Sequence, residues 1–230
     1  LTIDDKTRLS SVLYWSGGSG GGTGTYGRIP TLDADGKLGG QDYKFYYGGG
    51  PWTRDWNYLI DYNSGTDDVV YVDKRDISRE AGQSVGILRN SINRQNTLGL
   101  ISKLNYDVSD ELKLQAGIDW RTAGIEHARE VRDLMGGDYY MDYADDNAPD
   151  GKRVELGDII AYHNETTVDW LGGFVQGNYT ADKLSAYGMV GLSQIAYTYQ
   201  DHFSVADEKI TADPHYTLKW KGGAMYDVTD

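Results

Sequence analysis

The chain has 230 residues, a formal net charge of −13 and no cysteine. Such an acidic chain is poorly suited to nucleic-acid binding, which needs Lys and Arg opposite phosphates. Without cysteine, disulfides and thiolate metal or redox sites are excluded. No apolar run approaches the roughly 18 residues of a membrane helix, so any membrane span must be made of β-strands.

The first predicted elements are an Asp-rich turn at 3–6 and a strand that runs to about Ser16. Asp and Ser favour such turns because their side chains bond the local backbone. A long loop is predicted over 17–93, containing a hairpin between segments 57–62 and 69–73. The GxGxxG pattern at 22–27 predicts no dinucleotide site, because the Pro and Gly that follow oppose the helix that such a site needs.

The clearest hairpin comes next, with strands at about 94–106 and from Leu112 to about Val131, joined by the turn at 107–110. Because side chains alternate between the two faces of a strand, the second strand has an apolar face and a charged or polar face. The apolar side comprises Leu112, Leu114, Ala116, Ile118 and Trp120, and the other side comprises Lys113, Gln115, Gly117, Asp119 and Arg121.

This alternation is typical of a transmembrane β-barrel wall. A half-buried soluble sheet alternates in the same way. Strand length separates the two, because soluble strands average about 5–6 residues.

The second half of the chain repeats this plan. A loop is predicted over 132–162, and the remaining strands at 163–179, 184–203 and 215–226 are joined by the turn at 180–183 and the loop at 204–214. Strand 184–203 carries apolar residues on both sides, which suits contact with a plug or packing in a soluble sandwich.

The predicted fold is therefore all-β: an antiparallel transmembrane β-barrel sector with short periplasmic turns and long extracellular loops. About six strands are fewer than the eight of the smallest single-chain barrels. The chain also begins and ends at Asp-rich turns. We interpret residues 1–230 as one partial barrel of about three hairpins, taken from a larger protein.

The candidate ligand-binding residues are aromatic and lie in the long predicted loops. Stacking and hydrogen bonding by such rings could hold a solute, although packing within the loops would use the same residues. The candidates are Trp52, Arg54, Trp56, Tyr58, Tyr139, Tyr140 and Tyr143.

No catalytic, metal or cofactor site is predicted. The acidic stretches at 33–36 and 145–151 lack the EF-hand register and are interpreted as solvated loops. None of the four histidines has a metal-ligand spacing, and no carboxylate pair stands out as catalytic. We therefore expect a protein that is not an enzyme.

Three segments resemble the barrel of TonB-dependent outer-membrane receptors: 9–27, with its strand and glycine-rich continuation, 88–103 and 114–122. The resemblance implies residence in the outer membrane of a Gram-negative-type bacterium. It also implies active uptake of a scarce solute such as a ferric siderophore, vitamin or glycan. The implied partners are outer-membrane lipid, the solute and the TonB complex, the last through a plug that this chain does not contain.

Two other functions remain open at this point. One is a passive porin-like channel, which an upstream plug and TonB box would argue against. The other is a soluble all-β glycan-binding module that uses the Trp and Tyr clusters.

Overall fold

The computed structural model describes residues 1–32, 38–42, 56–65, 69–72, 75–78, 80–204 and 208–228. In chain order, its elements are β1 Thr7–Gly27, β2 Ile29–Leu32, β3 Leu38–Asp42, α1 Trp56–Ser64, β4 Val69–Val72, β5 Arg75–Ser78, β6 Gln83–Ser84, β7 Gly86–Asp107, β8 Leu112–Asp133, β9 Tyr139–Asp142, β10 Lys152–Val154, β11 Ile159–Ala181, β12 Leu184–Asp201, β13 Lys209–Thr211 and β14 His215–Tyr226.

One large antiparallel sheet dominates the fold. Its order is β1-β7-β8-β11-β12, and β12 is followed by β14 along most of its length and by β13 near its other end. This confirms the predicted all-β, antiparallel class. Within the described residues the sheet is open, with β1 at one edge and β13 and β14 at the other.

The strands of this sheet are long. Strands β1, β7, β8, β11 and β12 contain 21, 22, 22, 23 and 18 residues, several times the usual strand length of about 5–6 residues. The connections β7–β8 and β11–β12 are short turns at the same end of the sheet, which we call the lower end. The longer connections emerge at the opposite, upper end.

The strands extend further upward than predicted. The interval 17–93, predicted as a loop, belongs to β1 as far as Gly27 and to β7 from Gly86. The two strands pair without interruption from Thr7↔Tyr106 to Gly27↔Gly86. Backbone pairing continues there because the ladder needs only N–H and C=O groups, which glycine also has.

The predicted hairpin at 57–62 and 69–73 is wrong, because α1 occupies the first of these segments. Leu59 and Asn63 are both fully buried, one helical turn apart, which is helical rather than strand periodicity. Strand β4 instead pairs with β5.

The buried core lies at the upper end of the large sheet and not along its lower part. One cluster contains Ile87, Val131, Leu134, Val154 and Ile160, and a second contains Ile29, Leu59 and Met135. A small sheet of β10, β9 and β6 lies against this region. Nowhere in the described ranges does a helix reach the length and apolar character that a membrane crossing demands.

The buried Asn63 side chain links α1 to this core. Its Nδ2 donates to the carbonyl oxygens of Gly86 and Met135, each at 3.0 Å. Its Oδ1 accepts a hydrogen bond from the N–H of Val85, also at 3.0 Å. A buried amide that makes these bonds is satisfied, so the helix is fixed over the upper end of β7.

Candidate functional site

The large sheet has two chemically different faces. One register row crosses β1, β7, β8, β11, β12 and β14. It consists only of apolar residues: Leu9, Leu104, Ala116, Val175, Val190 and Trp220. The adjacent row, one residue further up, points to the other side and consists of Ser10, Lys103, Gly117, Phe174, Gly191 and Lys219. We call these sides the apolar face and the polar face.

The large side chains of the apolar face are exposed, up to 80 % for Trp220. They form a continuous surface rather than single exposed residues, and such a surface marks contact with a protein or a membrane. Its exposed members are Leu13, Trp15, Leu98, Leu104, Tyr106, Leu114, Ile118, Leu171, Val175, Tyr179, Leu184, Val190, Leu192, Tyr216, Leu218, Trp220 and Tyr226.

This apolar surface is a band of constant length along the central strands. On each of β7, β8, β11 and β12 it covers nine residues, and the four segments are Leu98–Tyr106, Leu112–Trp120, Leu171–Tyr179 and Leu184–Leu192. Eight steps of about 3.4 Å give a band about 27 Å long in the strand direction.

The lower edge of the band slips steadily from strand to strand. The row of Tyr106 passes through Gly177 on β11 and Gly222 on β14. Tyr179 lies two residues below that row and Tyr226 lies four residues below it, so the edge drops by two residues for every two strands. A drop of about 7 Å over about 9.6 Å of sheet inclines the edge by roughly 35° to the ladder rows.

The upper edge slips in the same direction. It lies at Leu98 on β7 and two rows lower at Trp120 on β8. Leu171 on β11 shares the row of Trp120, and Leu192 on β12 lies two rows lower again. The band is therefore an oblique stripe with nearly parallel edges, and its lower edge carries tyrosine on β7, β11 and β14.

The four tryptophans of the long strands, Trp15, Trp120, Trp170 and Trp220, do not share one face. Trp15, Trp120 and Trp220 lie on the apolar face, whereas Trp170 lies on the polar face opposite Arg121. There the Arg121 guanidinium lies 5.8 Å from the Trp170 ring centroid, and its Nε donates to Asp119 at 2.9 Å.

The polar face also contains an open cavity of about 280 Å³ that combines charge with aromatic surface. Its lining includes Lys103, Asp119, Trp170, Phe174, Met189 and Lys219. Met189 is one of the residues that give β12 apolar side chains on both faces.

The predicted ligand-binding residues that the structure describes have different surroundings. Trp52, Arg54 and the side chain of Tyr58 lie outside the described residues. Among the described candidates, Trp56 packs against the cluster of Ile29, Leu59 and Met135. Tyr143 is 68 % exposed at the upper end, where it is available to a ligand.

Tyr139 and Tyr140 have packing roles. Tyr139 is only 4 % exposed, and its hydroxyl donates to Oε2 of Glu80 at 2.9 Å. Tyr140 packs against the upper core and contacts Tyr26 edge to face, with 5.6 Å between ring centroids. Tyr140 therefore holds β9 against the large sheet, whereas Tyr139 ties β9 to Glu80, just before β6.

Burial at this junction changes tyrosine ionisation. Burial, reinforced by the nearby Asp142 carboxylate, raises the pKa of Tyr140 to about 12. The pKa of Tyr26 is raised further, first by burial and then by Asp142. Both hydroxyls therefore stay neutral and able to donate hydrogen bonds throughout the physiological pH range.

A histidine–carboxylate cluster is the feature that sequence reasoning missed. Strand pairing places His163 opposite His202, and the His202 N–H donates to the His163 carbonyl oxygen at 2.9 Å. Their ring centroids are 4.5 Å apart. Glu165 Oε1 lies 4.0 Å from Nε2 of His163 and 3.9 Å from Nε2 of His202.

The sequence contained a signal for this cluster, because the two histidines are equally far from the turn predicted at 180–183. His163 lies 18 residues before Ala181, and His202 lies 18 residues after Leu184, the pair that closes the turn. In an antiparallel hairpin, such positions face each other. A spacing rule applied along the chain alone cannot detect side chains that strand pairing brings together.

No protein-family model matches the chain, and no curated protein matches it. The two faces of the sheet, the oblique band and the clusters at the upper end are therefore the features from which function is inferred.

Proposed function

We propose that this chain is a barrel sector of a TonB-dependent outer-membrane receptor that takes up a scarce solute. The observation that carries the proposal is the oblique apolar band on one face of long antiparallel strands. A soluble sheet would cover such a face with a second layer. Among the described residues, no layer packs over this one.

The dimensions of the band suit a bilayer. With strands tilted by about 35°, a band about 27 Å long along the strands has a height of roughly 22 Å, close to the apolar band of about 25 Å on outer-membrane barrels. Tyr106, Tyr179 and Tyr226 lie at one edge of the band, where barrels carry interfacial aromatic residues.

The lengths of the connections then suggest which end of the sheet would face the periplasm and which the outside of the cell. Outer-membrane barrels have short turns in the periplasm and long loops outside. The turns near Asp107 and Asp182 would therefore face the periplasm. The upper core, α1 and Tyr143 would lie on the outside, where an incoming solute is met.

The open edges support a larger wall. Strand β1 pairs with β7 along its whole length. On its other edge, the described residues provide only a short return at 1–3, with one bridge between Thr2 and Arg8. A strand edge this long is an aggregation hazard unless it is paired or covered. Further strands beyond β1 and β14 would pair these edges and close the barrel.

The polar face would then line the lumen. Lys103, Asp119, Arg121 and Lys219 lie there, and a polar interior is typical of such barrels. A plug with complementary charge could pack against these residues. The assignment to TonB-dependent uptake, rather than to passive diffusion, is supported by the resemblance of segments 9–27, 88–103 and 114–122.

Expression of the full gene in a Gram-negative host tests the membrane assignment. We expect the product in the outer-membrane fraction, with a gel mobility that changes on heating because the folded barrel resists unfolding in detergent. A product found in the periplasm or cytosol would exclude the proposal and favour a soluble glycan-binding module.

Growth assays then separate the receptor from a passive channel. A strain that lacks the gene should lose growth on one defined iron, vitamin or glycan source. A strain that lacks TonB should show the same loss, because active uptake needs energy from the inner membrane. Growth that depends on the gene but not on TonB would instead identify a porin-like channel.

A further inference from the structure

We propose that His163, His202 and Glu165 bind a divalent transition-metal ion, best matched by Zn²⁺, at the upper end of the β11–β12 hairpin. Their donor atoms all lie within 4.8 Å of one another. A tetrahedral ion with donors at about 2.0–2.2 Å separates two donors by roughly 3.4 Å. Small side-chain rotations therefore bring the three donors onto one ion.

The donor set selects the class of metal. Two imidazole nitrogens and one carboxylate oxygen suit Zn²⁺, Cu²⁺ or Ni²⁺. Ca²⁺ and Mg²⁺ prefer sites built only from oxygen. With three protein ligands, a fourth position remains open to water or to an external ligand.

The backbone holds the two histidines next to each other before an ion binds. The hydrogen bond between His202 N–H and the His163 carbonyl oxygen holds the two Cα positions opposite each other. Asn147 Nδ2 donates to the His202 carbonyl oxygen at 3.1 Å. The rings are 4.5 Å apart and inclined by 31°, so ring rotation is the main adjustment that metal binding requires.

The electrostatics favour a cation. Glu126 Oε1 lies 3.2 Å from Nε2 of His163, and that buried nitrogen forms no hydrogen bond. Arg94 neutralises Glu126 through contacts of 3.1 and 3.3 Å, which leaves the Glu165 charge for the ion.

The site is independent of the bilayer. Glu165 lies six residues above Leu171, the upper limit of the apolar band on β11, which is about 20 Å along the strand. The ion would join β11 to His202, directly after the end of β12.

Titration of the untagged protein with Zn²⁺, and with Co²⁺ as a spectroscopic probe, tests the site. We expect one ion per chain, and visible Co²⁺ absorption of the intensity that tetrahedral coordination gives. His163→Gln and His202→Gln should each weaken Zn²⁺ binding by more than about 100-fold, the upper end of the loss seen for outer-shell partners.

His127→Gln is the matched control. His127 lies next to Glu126 in sequence but points to the opposite face, where its Nδ1 contacts Asn93 at 2.5 Å. Zn²⁺ affinity should be unchanged in this variant. Glu165→Gln supplies a ligand variant at an exposed side chain, with folding checked by circular dichroism. Wild-type Zn²⁺ affinity in Glu165→Gln or in both histidine variants, or no binding by the wild type, would overturn the proposal.

Discussion

The hydroxyl of Tyr26 donates a hydrogen bond to Oδ1 of Asp142, with 3.0 Å between the two oxygens. The other carboxylate oxygen of Asp142 accepts the N–H of Ala161 at 2.8 Å, and the Asp142 residue is only 2 % exposed. One buried carboxylate thus joins β1, β9 and β11, which belong to two different sheets.

Replacing Tyr26 by Phe should destabilise this junction. The substitution removes a donor from a buried charged acceptor, which typically costs about 1.5–3 kcal/mol. The urea midpoint of unfolding should fall accordingly. Tyr143→Phe is the control, because the exposed ring of Tyr143 lies at the same end of the molecule. Loss of its hydroxyl should change the free energy of unfolding by less than about 0.5 kcal/mol. Equal midpoints for the two variants would contradict the role assigned to Tyr26.

The same junction predicts a loss of stability in alkali. In the unfolded chain, tyrosine ionises near its ordinary pKa of 10.0, whereas the pKa of Tyr140 in the folded protein is about 12. A raised pKa favours the folded state below pH 10, and this contribution is lost as the pH rises from 10 towards 12. Tyrosinate absorbance should show a late-ionising fraction that Tyr140→Phe reduces. Complete titration near pH 10 in the folded wild type would contradict burial of this ring.

Two adjacent glycines of β1 should respond oppositely to alanine. A Cβ at Gly20 would meet nothing within 4 Å, whereas a Cβ at Gly21 would overlap the backbone carbonyl oxygen of Ser91 on β7. Gly20→Ala should stabilise the protein by about 0.4–1 kcal/mol, because it restricts the unfolded chain. Gly21→Ala should lower stability, because the β1–β7 ladder must shift to remove the overlap. Urea unfolding of the two variants side by side measures the difference, and a similar effect of both would argue against the β1–β7 register.

Arginine at Val175 distinguishes a membrane wall from a soluble sheet. Val175 is 58 % exposed and central in the apolar band on β11. In a bilayer, Val175→Arg should therefore cost about 2–4 kcal/mol. In a soluble module, an exposed substitution should cost less than about 0.5 kcal/mol.

Gln176→Arg is the matched control for that substitution, because it adds the same charge one residue away on the polar face. Folding into lipid vesicles, followed by gel mobility with and without heating, measures both variants. Equal folding yields would contradict the assignment of the apolar face to lipid.

The lower half of the sheet was predictable because its signals are local. Segments such as Leu112–Trp120 alternate strictly, and the Asp-rich turns at 107–110 and 180–183 mark where the chain reverses. Strand pairing then follows from adjacency along the chain.

The upper half was less predictable because its order depends on distant partners. Residues 17–24, six of which are glycine, carry no alternating pattern. They form a strand because residues 89–96 of β7 lie opposite. The burial of Asn63 likewise depends on carbonyl groups that come from Gly86 and Met135. The histidine cluster lay between these cases, because the turn at 180–183 already implied the pairing of His163 with His202.

The band is displaced by about one residue from each strand to the next. If this sheet is part of a closed barrel, that displacement sets the ratio of the barrel's shear number to its strand number at about one. The ratio of shear number to strand number sets the inclination of the strands, whereas the strand number sets the diameter. Additional strands with the same slip would widen the lumen and leave the inclination near 35°. The height of the upper core and of the His163–His202 pair above the lipid would then be the same in a narrow barrel and in a wide one.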